Sequence, residues 1–172
     1  MSDGVRGFFY IKGMTKYYAG IGARATPRWV MDIMISLGIK LESDGYILRS
    51  GGAEGADSAF ADRVNIKEIF RPQQATPKSL IHAERFHPNW HELKDYVKKL
   101  HARNSQIILG ENLSHAVQFV ICWTPNGATV GGTGQAIRVC NYYNIPVFNL
   151  ADPNTLQRFK TYLDIEPPKD LL

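Results

Sequence analysis

Cysteine is scarce in this sequence, with two residues among 172, Cys122 and Cys140. Both lie in apolar runs, where a cysteine usually serves as a small buried hydrophobic residue. Two cysteines are too few for a disulfide framework. His87 and His91 are four residues apart, but no cysteine or carboxylate completes a tetrahedral metal set at a recognised spacing. We therefore expect no disulfide scaffold, no metal and no other cofactor.

Long hydrophobic runs are also absent. No apolar run approaches the roughly 20 residues of a membrane-spanning helix, and the short apolar patch at residues 8–11 does not fit a signal peptide. The charge is nearly balanced, since 20 lysine and arginine residues against 16 aspartate and glutamate residues give a net charge of +4. That excess is too small to indicate a nucleic-acid partner by itself. We expect a cytoplasmic protein that does not associate with membranes.

Strand-like and helix-like segments alternate along the chain. We predict strands over residues 17–21, 46–49, 66–70, 117–123 and 146–150. We predict a helix that starts with Thr26 as N-cap and ends before Gly45, helices over 54–64, 89–108, 135–143 and 154–163, and one helical turn near 79–84. This alternation predicts an α/β, three-layer, Rossmann-like fold with a doubly wound, mostly parallel sheet. We expect one domain over residues 17–165, between an N-terminal lead-in (1–16) and a C-terminal tail (166–172).

Three glycine-rich turns each follow a predicted strand and precede a helix: Gly20-Ile21-Gly22-Ala23-Arg24, Ser50-Gly51-Gly52-Ala53-Glu54-Gly55 and Gly131-Gly132-Thr133-Gly134. Glycine lets backbone N–H groups approach an oxyanion, and the following helix adds a partial positive charge. Because ligands of such sheets bind at the carboxyl ends of the strands, the three turns predict a phosphate site. The structural alternative is that the glycines merely permit sharp bends. The dinucleotide fingerprint and the Walker A motif are both missing, which disfavours NAD binding and ATP hydrolysis.

Arg24, Arg49, Arg103 and Arg138 are the cations that we expect to converge on the phosphate, because the planar guanidinium donates two parallel hydrogen bonds. For Arg49 and Arg138, a solvated surface position is an equal alternative. Replacing Arg24 or Arg103 with alanine is predicted to weaken ligand binding and to leave thermal stability nearly intact.

The second turn also carries polar residues with two possible roles each. Glu54 and Asp57 either stabilise the helix dipole, or one of them contacts a ribose hydroxyl or acts as a general base. Ser50 either donates to phosphate or is only a turn residue, and without a histidine partner it is not expected to be a nucleophile. Trp123, at a strand end, is the best candidate for stacking on a base.

Four ordered blocks between residues 17 and 150 resemble the DNA-processing protein A (DprA/Smf) family. They are residues 19–26, residues 48–59 with the serine-glycine turn, residues 101–108 with the arginine-asparagine helix, and residues 131–135 together with 145–149. The chain is thereby identified as a short, phage-type member of the SLOG superfamily, which also includes the lysine-decarboxylase-like (LOG) phosphoribohydrolases. The resemblance implies a Rossmann-like fold, single-stranded DNA binding, a function in recombination and a homodimer.

Taken with the turns, the resemblance implies a binding groove. The predicted ligand-binding set is Gly20, Gly22, Ala23, Arg24, Ser50, Gly51, Gly52, Glu54, Asp57, Arg103, Asn104, Thr124, Gly131, Gly132, Thr133 and Gly134. Arg138 stands where the phosphoribohydrolases have their catalytic glutamate, which disfavours that reaction by that mechanism. Two alternatives stay open: a protein that binds a small, signalling nucleotide, and an N-glycosidase that uses Glu54 or Asp57.

Overall fold

The computed structural model describes residues 15–164 of the chain. Most of the predicted lead-in and the whole predicted tail lie outside the described residues. The strands are β1 Lys16–Gly20, β2 Tyr46–Ser50, β3 Lys67–Ile69, β4 Phe119–Cys122 and β5 Val147–Asn149. The helices are α1 Arg28–Ser43, α2 Ala56–Ala61, α3 Pro77–Glu84, α4 Asp95–Leu109, α5 Gly131–Tyr142 and α6 Pro153–Tyr162. Short 3-10 turns cover Pro72–Gln74, Trp90–Glu92 and Pro125–Gly127.

The five strands form one parallel sheet in the order β3-β2-β1-β4-β5. Chain order reverses at β1 and β4, so the turns that follow these two strands open at the switch point where such sheets bind ligands. The predicted α/β, Rossmann-like fold class is therefore confirmed, and each described strand end lies within two residues of its prediction. Among the described residues, no helix is long and apolar enough to cross a membrane.

Helices cover both faces of the sheet because alternate strand residues point to opposite sides. Tyr18 and Ile121 belong to a core with α1 and α2, and α6 packs at its margin. Ala19 and Val120 belong to a second core with α4 and α5. The result is the three-layer arrangement that alternating segments predict.

The predicted N-cap of α1, Thr26, is wrong. Val30, Met34, Leu37 and Leu41 form the expected buried stripe at helical spacing. The hydroxyl of Thr26, however, donates to the Ala23 carbonyl at 2.6 Å, and the helix has no side-chain cap. Thr26 therefore tightens the turn before the helix instead of capping it.

Two other helices differ from their predictions on the route from β3 to β4. The single turn predicted near 79–84 is the eight-residue helix α3, and its N-cap Thr76 accepts the Ser79 N–H. The helix predicted over 89–108 starts only at Asp95, because Lys94 is extended. Trp90 lies in the 3-10 turn before it and packs with Ala83 of α3.

The remaining corrections concern glycines next to the sheet. The helix predicted over 54–64 is limited to α2, because Gly55 has a φ of +91° and cannot extend it. The third glycine turn is not a loop: Gly131, Gly132 and Thr133 form the first turn of α5, and the Gly134 N–H donates to the Val130 carbonyl at 2.9 Å. The helix therefore starts four residues earlier than predicted.

Candidate functional site

A cleft of about 550 Å³ opens at the carboxyl edge of the sheet. The turns after β1, β2 and β4, the segment after β3, the helix α4 and the first turn of α5 form its walls. From the predicted set it is lined by Gly22, Ala23, Arg24, Gly51, Gly52, Glu54, Asp57, Arg103, Asn104, Thr124, Gly131, Gly132 and Thr133. The fold thus brings the three glycine-rich segments together around one space.

Gly20, Ser50 and Gly134 do not line the cleft. A Cβ on Gly20 would lie 2.5 Å from the ring of Phe60, and one on Gly134 would lie 2.7 Å from the Thr129 backbone. These two glycines permit close packing. Ser50 is fully buried and its hydroxyl donates to the Gly20 carbonyl at 2.6 Å. The prediction of Ser50 as a phosphate donor is therefore wrong, and the residue links β2 to β1.

Asp57 is buried beneath the glycine turns and accepts hydrogen bonds from their backbone. Its Oδ2 atom accepts the N–H groups of Gly51 at 3.1 Å and Ala53 at 3.3 Å. Burial raises the pKa of the Asp57 carboxyl to about 6, and the same N–H groups, the charge of Arg103 and the Gly22 N–H oppose that shift. The backbone N–H groups of Gly51 and Ala53, which the sequence predicted to bind the phosphate of a ligand, are thus bonded to a carboxylate of the protein itself.

Arg103 is also buried, with only 7% of its surface exposed. Its Nη1 atom donates to the carbonyls of Gly51 at 2.7 Å and Phe70 at 3.1 Å, and Nε donates to Asn104 at 3.0 Å. Burial lowers the pKa of Arg103, which the Asp57 carboxylate partly opposes. Among the described residues Nη2 has no partner, and it is not enclosed, so this nitrogen is the one that Arg103 presents to the cleft.

Arg24 and Arg71 are exposed cations on the rim of the cleft. Arg71 Nη1 lies 3.4 Å from the Gly52 carbonyl. Arg71 was not among the predicted site residues, although it directly follows a predicted strand. Glu54, also exposed, adds a negative charge to the same rim.

The first turn of α5 supplies backbone donors that Asp57 does not occupy. The N–H groups of Gly131, Gly132 and Thr133 precede the first helical hydrogen bond, so they have no partner within the helix. Asn104 donates to the Gly132 carbonyl at 3.1 Å and holds this turn against α4. Thr124, below the turn, accepts a hydrogen bond from Asn149 at 2.7 Å.

Arg49 and Arg138 do not take part in the site. Arg49 is 3% exposed, donates to Glu68 at 2.8 Å and lies 3.9 Å above the ring of Tyr17. Both alternatives for Arg49, a phosphate ligand and a solvated surface residue, are therefore wrong. Arg138 donates to the Phe86 carbonyl at 3.2 Å and ties α5 to the end of α3.

The expected stacking residue and the histidines also lie away from the cleft. Trp123 packs against the core of α1 and α2 and does not line the cleft. His82 contacts Ser105 and Tyr143 at 2.9 Å each, between α3, α4 and α5. Within residues 15–164, no three histidine, cysteine or carboxylate side chains gather in a way that could hold a metal ion.

Solved structures include one with a similar architecture, a DNA processing protein A from Helicobacter pylori described for its unique single-stranded DNA binding mode. The TM-score is 0.54 at 16% sequence identity, over 87% of this chain and 79% of that chain. The chain therefore has a DprA-like fold. No protein-family model matches the sequence, and no curated protein does. The resemblance in the motif blocks thus agrees with the fold. A sequence identity of 16% shows the fold alone, so the ligand and the partners have to be inferred from the site.

Proposed function

We propose that this protein binds single-stranded DNA through its phosphodiester backbone. One observation carries the proposal: Arg24, Arg71 and Arg103, from three separate segments, line a single cleft at the carboxyl edge of the sheet. Guanidinium groups are well suited to phosphate because they remain charged and donate in a planar fork.

The donors fall into two kinds. Arg103 offers one fixed nitrogen, since its other nitrogens are bonded to protein carbonyls and to Asn104. Arg24 and Arg71 are exposed and free to adjust to a flexible strand. The N–H groups at the start of α5 add donors that carry part of the helix dipole. A phosphate at the floor and its neighbours at the rim would each meet a positive group.

The balance of charge in the cleft favours a nucleic-acid strand, which carries one negative charge per nucleotide, over a nucleoside triphosphate. Glu54 lies on the same rim as Arg24 and Arg71, and the buried Asp57 neutralises part of the charge of Arg103. A nucleoside triphosphate concentrates several negative charges, whereas a strand distributes one charge per nucleotide. The similar fold of a DNA processing protein A that binds single-stranded DNA supports the same ligand.

A titration of a fluorescently labelled oligonucleotide of about 20 nucleotides, followed by anisotropy at several salt concentrations, tests the proposal. We expect binding at low salt that weakens steadily as salt rises. Competition with duplex DNA and with mononucleotides separates the ligands, and displacement by a mononucleotide at micromolar concentration would favour the small-nucleotide alternative. Absence of oligonucleotide binding at low salt would contradict the proposal.

Other consequences of the family resemblance stay predictions. They are the function in recombination, the homodimer and the phage origin, and the cytoplasmic location expected from the composition also stays a prediction. The N-glycosidase alternative has weaker support, because Asp57 is buried and its Oδ2 atom is already bonded to the N–H groups of Gly51 and Ala53.

A further inference from the structure

We infer that Tyr96 is a stacking platform for a nucleobase of the strand that occupies the cleft. The inference rests on the proposed function and adds to it a contact with the base, where the arginines contact only the backbone. Tyr96 is 58% exposed and lines the cleft. It lies in the first turn of α4, a helix whose start the sequence placed six residues too early.

The position of Tyr96 follows from helix geometry. Tyr96, Leu100 and Arg103 are spaced as i, i+4 and i+7, so they form one row on α4, and all three line the cleft. The row runs from the exposed Tyr96 through the half-buried Leu100 to the buried Arg103. Its ends are about 10 Å apart along the helix axis. Long side chains at both ends therefore place an aromatic ring and a phosphate donor within reach of one nucleotide and its neighbouring phosphate.

Tyr96 is distinguished from the other exposed aromatic residues that the structure describes because its ring is free of aromatic and cation contacts and also lines the cleft. Among the described residues, no aromatic ring or cation packs on it. Tyr142, with a similar exposure of 61%, contacts the rings of Phe86 at 5.3 Å and Tyr143 at 4.9 Å. Trp29 is 53% exposed but lies outside the cleft.

Part of the cleft lining is apolar, in contrast to the arginines. Val130, which is 52% exposed, and Pro125 line the same space as Tyr96. A nucleotide combines a flat base, which has two apolar faces, with a charged phosphate. The cleft offers an apolar surface for the base and positive groups for the phosphate. Because every base has a π-face, such stacking is tolerant of sequence. We therefore expect the cleft to select for single strands, whose bases are accessible, and not for a particular base.

The test compares a normal single-stranded oligonucleotide with one of equal length that carries abasic sites. The variants are Tyr96→Ala, Tyr96→Phe and the matched control Tyr142→Ala, which removes an equally exposed tyrosine outside the cleft. We expect Tyr96→Ala to weaken binding of the normal strand about tenfold and to leave binding of the abasic strand unchanged. Tyr96→Phe should stay within about twofold of the wild type, because the ring face and not the hydroxyl makes the contact. The salt dependence should be the same in all four proteins, since no charge is changed.

Two results overturn the inference while the proposed function stands. One is equal affinity of the wild type for normal and abasic strands, a comparison that needs no variant and no assumption about folding. The other is unchanged binding of the normal strand by Tyr96→Ala, with a melting temperature that shows the variant is folded. Failure of both strands to bind at low salt would instead remove the proposed function, and the inference with it.

Discussion

Asp57 and Arg103 bind the two backbone polar groups of the same residue, Gly51. The Asp57 carboxylate accepts the N–H of Gly51 at 3.1 Å, and Arg103 donates to the Gly51 carbonyl at 2.7 Å. Gly51 has no room for a side chain there, because a Cβ would lie 2.5 Å from Arg103 Nη1 and 2.8 Å from Asp57 Oδ2. This buried pair therefore fixes the second glycine turn, and with it one wall of the cleft.

Arg103→Ala is expected to lower the free energy of unfolding by roughly 2–4 kcal/mol, because it leaves the carbonyls of Gly51 and Phe70 without a donor and removes the positive charge that favours the buried Asp57 carboxylate. Urea unfolding followed by circular dichroism measures the change. This outcome differs from the nearly intact stability that the sequence predicts for the variant. A loss of DNA binding with unchanged stability would show that the structural contacts of Arg103 contribute little.

Asp57→Asn is expected to remove a pH-dependent part of the stability. Burial raises the pKa of Asp57 from its ordinary value of 3.8 to about 6, so the native protein binds more protons than the unfolded chain between these pH values. The favourable contribution is fully present below pH 3.8 and is lost as the pH rises through about 6, by roughly 2–3 kcal/mol. The free energy of unfolding of the wild type relative to Asp57→Asn should therefore fall between pH 4 and 7, whereas relative to the exposed control Asp62→Asn it should stay nearly constant. An unchanged pH profile would contradict the assignment.

Arg24→Gln and Arg71→Gln are expected to weaken single-stranded DNA binding by about three- to tenfold at low salt, and each should reduce the slope of log affinity against log salt by about 1. Their stability should change by less than about 0.5 kcal/mol, because both side chains are exposed. The matched control is Arg63→Gln, an exposed arginine at the end of α2 and outside the cleft. Equal effects of all three substitutions would indicate a general attraction of the protein for DNA without a site.

Glu54→Gln is expected to strengthen single-stranded DNA binding about two- to fivefold at low salt, because it removes a negative charge from the rim of the cleft. The gain should vanish at high salt, where the charge is screened. Anisotropy titrations at two salt concentrations measure both effects. The N-glycosidase alternative predicts something different for the same variant, namely loss of base release from nucleotides. Weaker DNA binding by Glu54→Gln would show that the carboxylate contacts the ligand.

The location of the site was predictable because parallel strands bring their carboxyl ends to one edge. Arg24 lies in the turn after β1 and Gly51 directly follows β2, and these positions alone place the two residues near each other. The same argument applies to Arg71 after β3, but this residue was not predicted because no glycine-rich turn follows that strand. Tyr96 carried a weaker signal, because its helical spacing to Arg103 lies within the predicted helix over 89–108 but its exposure in the cleft depends on how that helix packs.

Neighbouring residues show why side-chain roles were harder to predict. Arg49 and Ser50 are consecutive in β2, and the sequence allowed both as phosphate ligands. In the folded protein Arg49 bonds to Glu68 and Ser50 bonds to the Gly20 carbonyl, so each is used within the sheet. A polar side chain near a site takes whichever partner the adjacent strand presents, and that partner is distant in sequence.

The amino-acid sequence by itself determined the alternation of strands and helices, the parallel sheet and the edge at which the glycine turns meet, because periodicity and turn chemistry are local properties. Tertiary structure alone decided that Asp57 binds the amides of Gly51 and Ala53, that Arg103 is buried, and that Tyr96 is left facing the cleft. Hydrogen bonds and burial are settled by contacts between segments far apart in the chain, and a donor or carboxylate in such a core binds the group that packing brings to it.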